Sequence, residues 1–193
     1  MSIAGFDPSG GAGVIADVKT FEAHRLQGFS VITANTIQTE DEFVSVNWID
    51  EDLVFEQLET LLRRYKFSAV KIGLVPSASF LLKSLNSIFE IQDSEFKIRP
   101  SVVWDPVLSA SAGVGFNQCL QDFTQVLKSI DYITPNWKEI QQLTEEDAKS
   151  GAKTLSQFTK VYLKGGHSEE LGKDYLFTTE NEFPFKMKKE GSE

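Results

Sequence analysis

The sequence predicts an α/β fold of three layers (α-β-α), in which a mostly parallel, doubly wound sheet lies between two layers of helices. Three observations support this prediction. Short apolar or β-branched runs alternate with segments whose apolar residues recur at helical spacing. The connections between these segments are short, as in successive βαβ units. Polar residues and glycines also gather just after the predicted strands, where ligands bind in open parallel sheets.

The predicted elements follow one another regularly along most of the chain. Strands are predicted at residues 2–4, 29–36, 69–74, 101–104, 132–134 and 160–163. Helices are predicted at residues 13–26, 53–65, 77–89, 117–128 and 137–143. Ser77 is the predicted N-cap of the third helix, because a serine there can accept a hydrogen bond from a free backbone N–H group of the first turn.

The alternation of strands and helices stops near the end of the chain. The segment "DYLFTTENEFPFKM" alternates apolar and polar residues around a candidate turn at residues 179–182, so it predicts an antiparallel β-hairpin. No internal repeat, low-complexity block or linker is evident in the sequence. We therefore expect a single domain over residues 1–193.

Composition and charge narrow the class of protein. Of 193 residues, 41% are hydrophobic and 24% are charged, as in globular proteins. The net charge of -9 argues against a nucleic-acid partner, which usually requires a basic face. No run approaches the roughly 18 apolar residues of a membrane span, and the first residues do not resemble a secretory signal. With Cys119 as the only cysteine, the sequence predicts a cytoplasmic protein without internal disulfides.

A glycine-rich loop follows the first predicted strand and contains Gly5, Gly10, Gly11 and Gly13. A flexible turn is the simplest interpretation of these glycines. A dinucleotide-binding fingerprint is a second, but residues 6–10 separate its glycines from the strand, and the next acidic candidate lies later than the usual ~20 residues. A Walker A loop is excluded because no G-K-[ST] is present. A loop shaped around a small polar ligand, with Asp17 as acceptor, is the third interpretation.

Several longer motifs identify a family. The segments "IAGFDPSGGAGVIADVKTF", "SVITANTIQ", "VKIGL", "WDPV", "ITPNWKEI" and "KGGH" occur in the order and at about the spacing found in the hydroxymethylpyrimidine and phosphomethylpyrimidine kinases of thiamine synthesis. The sequence resembles this family over nearly its whole length. The resemblance implies a ribokinase-like fold, which the family shares with pyridoxal kinases. It also implies that the glycine loop holds an aminopyrimidine and its hydroxymethyl group.

The resemblance implies roles for residues on the substrate side. The substrate-binding residues are expected to be Gly5, Asp17, Gln38, Leu74 and Val107. An aminopyrimidine offers an amino donor and ring-nitrogen acceptors, which suit a carboxylate together with an amide that can donate and accept. Leu74 and Val107 would supply an apolar floor, although plain core packing would explain them equally.

The resemblance also implies a side that binds ATP and Mg²⁺. Asp105 and Glu139 match acidic positions expected to organise the metal. The positions expected to bind ATP or its phosphates are Asn136, Lys164, Gly166 and His167. Alternatives stay open for two of them: Asn136 could act as a plain helix N-cap, and His167 could simply belong to a glycine turn.

One motif of the family is absent from the sequence. Members carry a glycine-rich H-G-[ST]-G-C segment after the hairpin, whose backbone N–H groups form the anion hole and whose cysteine lies beside the substrate hydroxyl. This sequence ends at "KMKKEGSE", before that segment. No catalytic residue is therefore expected within residues 1–193. We expect a truncated form of a kinase, the alternative being a genuine short form that binds ligand without efficient transfer.

The resemblance predicts ATP-dependent phosphorylation of 4-amino-5-hydroxymethyl-2-methylpyrimidine and of its monophosphate, with ATP and Mg²⁺ as cofactors. Two alternatives remain: a pyridoxal-type kinase and a non-catalytic pyrimidine-binding fragment. The expected partner is a small-molecule pyrimidine, with no nucleic acid and no membrane. Because the family is often dimeric, a homodimer is compatible with the sequence.

Overall fold

The computed structural model describes residues 1–108, 120–165 and 173–186, and these residues build one mixed β-sheet with helices packed on it. The strands of this described part are β1 Ser2–Phe6, β2 Ser30–Gln38, β3 Phe43–Trp48, β4 Ala69–Ile72, β5 Ser101–Trp104, β6 Tyr132–Ile133, β7 Lys160–Leu163, β8 Lys173–Phe177 and β9 Glu182–Lys186. They lie in the order β3-β2-β1-β4-β5-β6-β7-β8-β9.

The centre of the sheet is parallel and its two edges are antiparallel. Each neighbouring pair from β2 through β1, β4, β5 and β6 to β7 is parallel. The edge strand β3 runs antiparallel to β2, and β8 and β9 form the predicted hairpin beside β7. The chain begins in β1, builds outward to β2 and then returns to β4 on the other side. This reversal is a topological switch point, where open α/β sheets bind their ligands.

The described helices connect these strands. They are α1 Gly13–Ala23, α2 Glu51–Arg64, α3 Ala78–Phe96, α4 Leu120–Ser129, α5 Trp137–Thr144 and α6 Ala148–Leu155. Contacts join α1 to β1, α2 to α3, α3 to α4 and α5 to α6. The predicted three-layer α/β fold with a mostly parallel sheet is confirmed.

The core consists of aliphatic and aromatic side chains between the sheet and the helices. Central strands contribute alternate residues to it, such as Val70 and Ile72 in β4 and Val102 and Trp104 in β5, all of which are fully or almost fully buried. Alternation of this kind fixes the register, since a slip of one residue would exchange buried and outward-facing side chains. No helix in the described residues is both long enough and apolar enough to span a bilayer.

Helix caps were among the most predictable local features. The Ser77 side chain accepts a hydrogen bond from Phe80 N at 3.1 Å, so the predicted cap of α3 is confirmed. Asn136 caps α5, because its Oδ1 accepts from Lys138 N and Glu139 N, each at 2.9 Å. Caps depend on residues adjacent in sequence, which is why short motifs reveal them.

Several boundaries differ from the prediction, and two elements were missed. Helix α3 continues to Phe96 instead of residue 89, and the hairpin turn lies one residue earlier, closed by Thr178 N donating to Asn181 O at 2.8 Å. Strand β3 was missed because it is an edge strand without a buried alternating face. Helix α6 was missed because it is short and contains Gly151, whose absent Cβ leaves room for the Thr144 side chain of α5.

Candidate active site

A cavity of about 330 Å³ opens at the switch point of the sheet, at the carboxyl ends of β1 and β4. We call it the pocket. The five residues expected on the substrate side all line it: Gly5, Asp17, Gln38, Leu74 and Val107. Thus the side chains of Asp17 and Gln38, which come from different elements, face one shared hollow.

The glycines of the first loop make close backbone approach possible. Gly13, the first residue of α1, has φ of 59°, in the region that favours glycine. A Cβ on Gly13 would overlap the carbonyl oxygen of Gly5, so a side chain cannot be accommodated there without moving the backbone. A Cβ on Gly5 would lie 3.0 Å from Cδ2 of Leu74. These two glycines therefore set the width of the pocket wall.

Asp7 holds the loop in shape, a role that was not predicted. Its carboxylate accepts hydrogen bonds from Ser9 N, Ser9 Oγ and Ala12 N, each at 2.8 Å. Burial acts to raise the pKa of Asp7, but hydrogen bonds from Gln38, Ser9 and Ala12 outweigh it and lower the pKa to about 2. An aspartate two residues before a serine, at the start of a glycine-rich loop, is the sequence signal for such a turn.

Asp17 faces the pocket from α1 and is held by two donors. Ser2 Oγ donates to its Oδ2 at 2.6 Å, and Lys71 Nζ lies 3.0 Å from Oδ1 and 2.9 Å from Oδ2. Lys71 belongs to β4 and also lines the pocket, yet it was absent from the predicted site. Its sequence signal is a lysine between two apolar residues of a central strand, in "AVKIG".

The apolar part of the pocket comes from three places. Leu74 is buried after β4, and its carbonyl oxygen accepts from Thr33 Oγ1 at 2.6 Å. Val107 follows β5 and is half-buried. Phe43 of β3 also lines the pocket, although no sequence pattern singled it out. A mainly apolar wall with a few polar groups is typical of sites for small ligands.

Beside the pocket lies a second group of residues, which we call the polar cluster: Asp105, Asn136, Glu139 and Lys164. Lys164 Nζ lies 2.7 Å from Asp105 Oδ1 and 4.0 Å from Glu139 Oε2. Lys164 is brought to Asn136 by an isolated bridge at the ends of β6 and β7, where Lys164 N donates to Pro135 O at 2.9 Å. The structure therefore brings together all four of the predicted phosphate- and metal-side residues that it describes.

Glu139 serves the helix as well as the cluster. Its Oε2 accepts from Asn136 N at 2.7 Å, completing a capping box with the Asn136 side chain. Burial raises the pKa of Glu139, and Asp105 adds to the rise, while the hydrogen bond from Asn136 and the charge of Lys164 oppose it. Asn136 and Glu139 thus have a structural role that is independent of any ligand.

Lys71 also connects the pocket to the polar cluster. Its Nζ lies 3.7 Å from Asp105 Oδ2 while it contacts Asp17. Charges of alternating sign therefore run in the order Asp17, Lys71, Asp105, Lys164 and Glu139. This ion-pair chain crosses the carboxyl ends of the sheet.

Gly166 and His167, expected near the nucleotide, lie outside the described residues. The neighbouring Gly165 is described: its N–H donates to Asp174 Oδ1 at 2.7 Å, and a Cβ on it would overlap the carbonyl oxygen of Lys173. The glycine turn after β7 therefore requires at least one of its glycines for packing.

The residues present can be tested for their fit to a divalent cation. Within residues 1–108, 120–165 and 173–186, no group of three or more His, Cys, Asp or Glu side chains is placed to hold a metal ion. Asp105 and Glu139 nevertheless approach the same lysine nitrogen, so their carboxylates face a common volume. This arrangement fits Mg²⁺, which commonly binds to one or two carboxylates and keeps several waters.

Comparisons with known proteins agree with this geometry. Residues 7–192 match the sequence profile of the phosphomethylpyrimidine kinases. The chain is 31% identical over 204 residues to the hydroxymethylpyrimidine/phosphomethylpyrimidine kinase of Aquifex aeolicus, covering 98% of this chain and 76% of that protein. It is 35% identical over 181 residues to such a kinase of Saccharomyces cerevisiae, covering 86% of this chain and 32% of that protein. The chain spans about a third of the length of the two yeast relatives it matches.

Solved structures give the same result. The phosphomethylpyrimidine kinase of Clostridium difficile aligns with a TM-score of 0.74 and 27% identity, covering 96% of this chain and 83% of that chain. An ADP complex of the pyridoxal kinase of Bacillus subtilis aligns with a TM-score of 0.79 and 27% identity, covering 96% and 73%. The fold is ribokinase-like, as predicted, and the chain belongs to the phosphomethylpyrimidine kinase family.

Proposed function

We propose that this chain provides the substrate pocket of an ATP-dependent kinase that phosphorylates 4-amino-5-hydroxymethyl-2-methylpyrimidine and its monophosphate in thiamine biosynthesis. The observation that carries the proposal is the shared pocket, in which Asp17, Gln38, Gly5, Leu74 and Val107 meet at the switch point. Its volume of about 330 Å³ is at the small end of the range for ligand sites and suits a single heteroaromatic ring.

The pocket offers the polar groups that an aminopyrimidine needs. Ionised Asp17 can only accept hydrogen bonds, which matches an exocyclic amino group. Gln38 can donate to a ring nitrogen and accept elsewhere. The apolar side chains of Leu74, Val107 and Phe43 would cover the faces and the methyl group of the ring.

ATP and Mg²⁺ are assigned to the polar cluster in this proposal. Lys164 and Asn136, with Gly166 and His167 beyond the described residues, would bind ATP and its phosphates. Asp105 and Glu139 would hold Mg²⁺, which neutralises charge on the phosphates when it is bound. Lys164, already paired with Asp105, would add a second positive charge beside the transferred group.

The reaction proposed is an in-line phosphoryl transfer. The hydroxymethyl oxygen of the pyrimidine forms a bond to the γ-phosphorus of ATP, the bond from that phosphorus to the β–γ bridging oxygen breaks, and ADP leaves. Residues of this chain would orient the ring through Asp17 and Gln38. By the family resemblance, the group that takes the hydroxyl proton and the anion hole belong to a segment that would follow Glu193.

A pyridoxal-type kinase is the second candidate. It is favoured by the structural similarity to pyridoxal kinases, including that of Staphylococcus aureus in complex with AMP-PCP and pyridoxal, with a TM-score of 0.75 and 25% identity. A non-catalytic pyrimidine-binding fragment is the third. Both alternatives share the pocket with the main proposal and differ in the ligand bound or in the chemistry that follows.

Calorimetric titration with the hydroxymethylpyrimidine and with pyridoxal tests the pocket. We expect Asp17→Ala to weaken pyrimidine binding by about tenfold or more, because a hydrogen bond to a charged group is lost. Glu22→Ala removes a carboxylate from an exposed position on the same helix and should leave binding unchanged. Unchanged affinity in Asp17→Ala would overturn the pocket assignment, and tighter binding of pyridoxal would favour the second candidate.

A cytoplasmic location and a homodimer belong to the same proposal. Ile37, Phe43 and Val44 near the β2–β3 turn are exposed apolar residues, which supports a contact with another protein surface. Sedimentation analysis of the purified chain would decide between monomer and dimer, and a monomer at all concentrations would contradict the homodimer.

A further inference from the structure

Lys71 is the charged residue of the pocket for which the sequence motifs suggested no role. It projects from the middle of the parallel sheet, in a strand whose neighbouring residues Val70 and Ile72 are fully buried. Its side chain is 23% exposed, and the two carboxylates it contacts are 17% exposed at Asp17 and 24% exposed at Asp105. At this degree of burial an ion pair is screened far less than on an open surface.

The hydrogen bonds of Asp17 define its orientation. Lys71 Nζ contacts both carboxylate oxygens, at 3.0 and 2.9 Å, and Ser2 Oγ donates to Oδ2 at 2.6 Å. Two donors on different strands thus fix the plane of the carboxylate. Because a carboxylate has about four lone-pair sites, capacity remains for a further donor.

We propose that Lys71 is a positioning and specificity-determining residue, which holds Asp17 as a fixed, acceptor-only group and thereby selects ring ligands that present an N–H donor. This inference rests on the proposed function and names the substrate class more narrowly. A heteroaromatic ring with an amino group can donate to Asp17. A ring with an oxygen acceptor at the same position would face the carboxylate without a hydrogen bond, which is costly in a half-buried site.

A second contact gives Lys71 a further effect on the site. Its Nζ lies 3.7 Å from Asp105 Oδ2, so one cation serves a carboxylate of the pocket and a carboxylate of the polar cluster. Removing that cation leaves Lys164 as the remaining described lysine within 4.0 Å of Asp105 and leaves Asp17 with Ser2 as its printed donor. We therefore expect the loss of Lys71 to be felt first at Asp17.

The test compares Lys71→Met with Lys71→Arg in calorimetric titrations. The two probes are the hydroxymethylpyrimidine and its analogue in which an oxygen replaces the 4-amino group. Lys71→Met should weaken binding of the amino compound by about tenfold or more and reduce the preference for it over the oxo analogue. Lys71→Arg keeps the positive charge and should restore much of both the affinity and the preference.

Lys83→Met is the matched control. Lys83 forms an exposed ion pair with Glu51 at 2.7 Å on helices that do not line the pocket, so its removal should change neither affinity nor preference. Thermal unfolding of every variant separates a folding defect from a binding defect. If Lys71→Met does not fold, Lys71→Gln takes its place, since it keeps a donor and much of the stem without the charge.

The outcomes distinguish this inference from the proposed function. If the unmodified chain binds the amino compound and folded Lys71→Met binds it with the same affinity and preference, the role of Lys71 is overturned and the proposed function stands. If the unmodified chain binds neither compound, both are overturned. A loss of affinity in Lys71→Met that Lys71→Arg does not restore would also overturn it, because charge would then not be the cause.

Discussion

The pocket and the polar cluster lie side by side but are built differently. Backbone shapes the pocket: Gly5 and Gly13 approach each other closely, and the loop between them is tied to Asp7. Charged side chains shape the polar cluster, where Asp105, Lys164 and Glu139 neutralise one another. The first region is a steric mould, and the second is an electrostatic balance.

This difference predicts how each region responds to change. A steric mould fails when a single methyl group is added, because packed backbone has no room to relax. A partly exposed ion pair can be altered at little cost to stability, because water replaces the missing partner. Substitutions in the pocket should therefore affect folding and binding together, whereas those in the polar cluster should mainly affect binding.

Gly13→Ala should have the largest effect. The added Cβ overlaps Gly5 O and must adopt a φ of 59°, so we expect destabilisation of about 3 kcal/mol or more, from backbone strain and overpacking together. Urea unfolding would measure it.

Gly11→Ala is the control for this prediction. Its Cβ would lie 3.7 Å from Ser9 Oγ and 3.8 Å from Asp7 Oδ2, which are ordinary contacts. We expect near-normal stability in Gly11→Ala. Equal stabilities of the two variants would show that the pocket is not a steric mould.

Asp7→Ala should rank second. Losing the acceptor leaves loop N–H groups unpaired, at a cost of about 1–3 kcal/mol at neutral pH. Because the pKa of Asp7 is lowered from 3.8 to about 2, its contribution is complete above about pH 4 and disappears as the pH falls towards 2. The difference in free energy of unfolding between the unmodified chain and Asp7→Ala should therefore shrink over that range.

Asp41→Ala provides the comparison, since Asp41 is an exposed carboxylate in the turn between β2 and β3. Its substitution should change stability little at any pH. A gap between the unmodified chain and Asp7→Ala that stays constant from pH 4 to pH 2 would contradict the lowered pKa.

Lys164→Met should separate binding from stability. The ion pair with Asp105 is partly exposed, so we expect a loss of stability within about 1 kcal/mol. Affinity for ATP, measured by titration with a non-hydrolysable analogue, should fall by about tenfold or more if the polar cluster binds phosphates. A large loss of stability with unchanged ATP affinity would reverse the assignment.

Glu139→Gln should have the smallest effect on stability, within about 1 kcal/mol, because glutamine at this position also completes a capping box. The substitution removes a charge whose pKa is raised by burial, so any change at neutral pH should be towards higher stability. Mg²⁺ dependence of nucleotide binding should weaken at the same time. Unchanged Mg²⁺ dependence would leave Glu139 with only its helix-capping role.

Local features of this fold were predictable from sequence, and long-range contacts were not. The strand β1, the glycine loop and the caps at Ser77 and Asn136 depend on neighbouring residues, so short motifs reveal them. The partnership of Lys71 with Asp17 joins residues 54 positions apart, and only the order of strands brings them together. Phe43 was missed for the same reason, because its strand enters the site by pairing with β2.

The bonds of Asp7 have a consequence for how quickly and how tightly a ligand can bind. Since this carboxylate already organises the segment from Ser9 to Ala12, the conformational entropy of that segment is lost when the chain folds. An arriving ring then meets a preorganised wall, and its binding free energy is not reduced by the need to order the loop. Association should accordingly resemble the docking of a rigid key more than the closing of a flexible clasp.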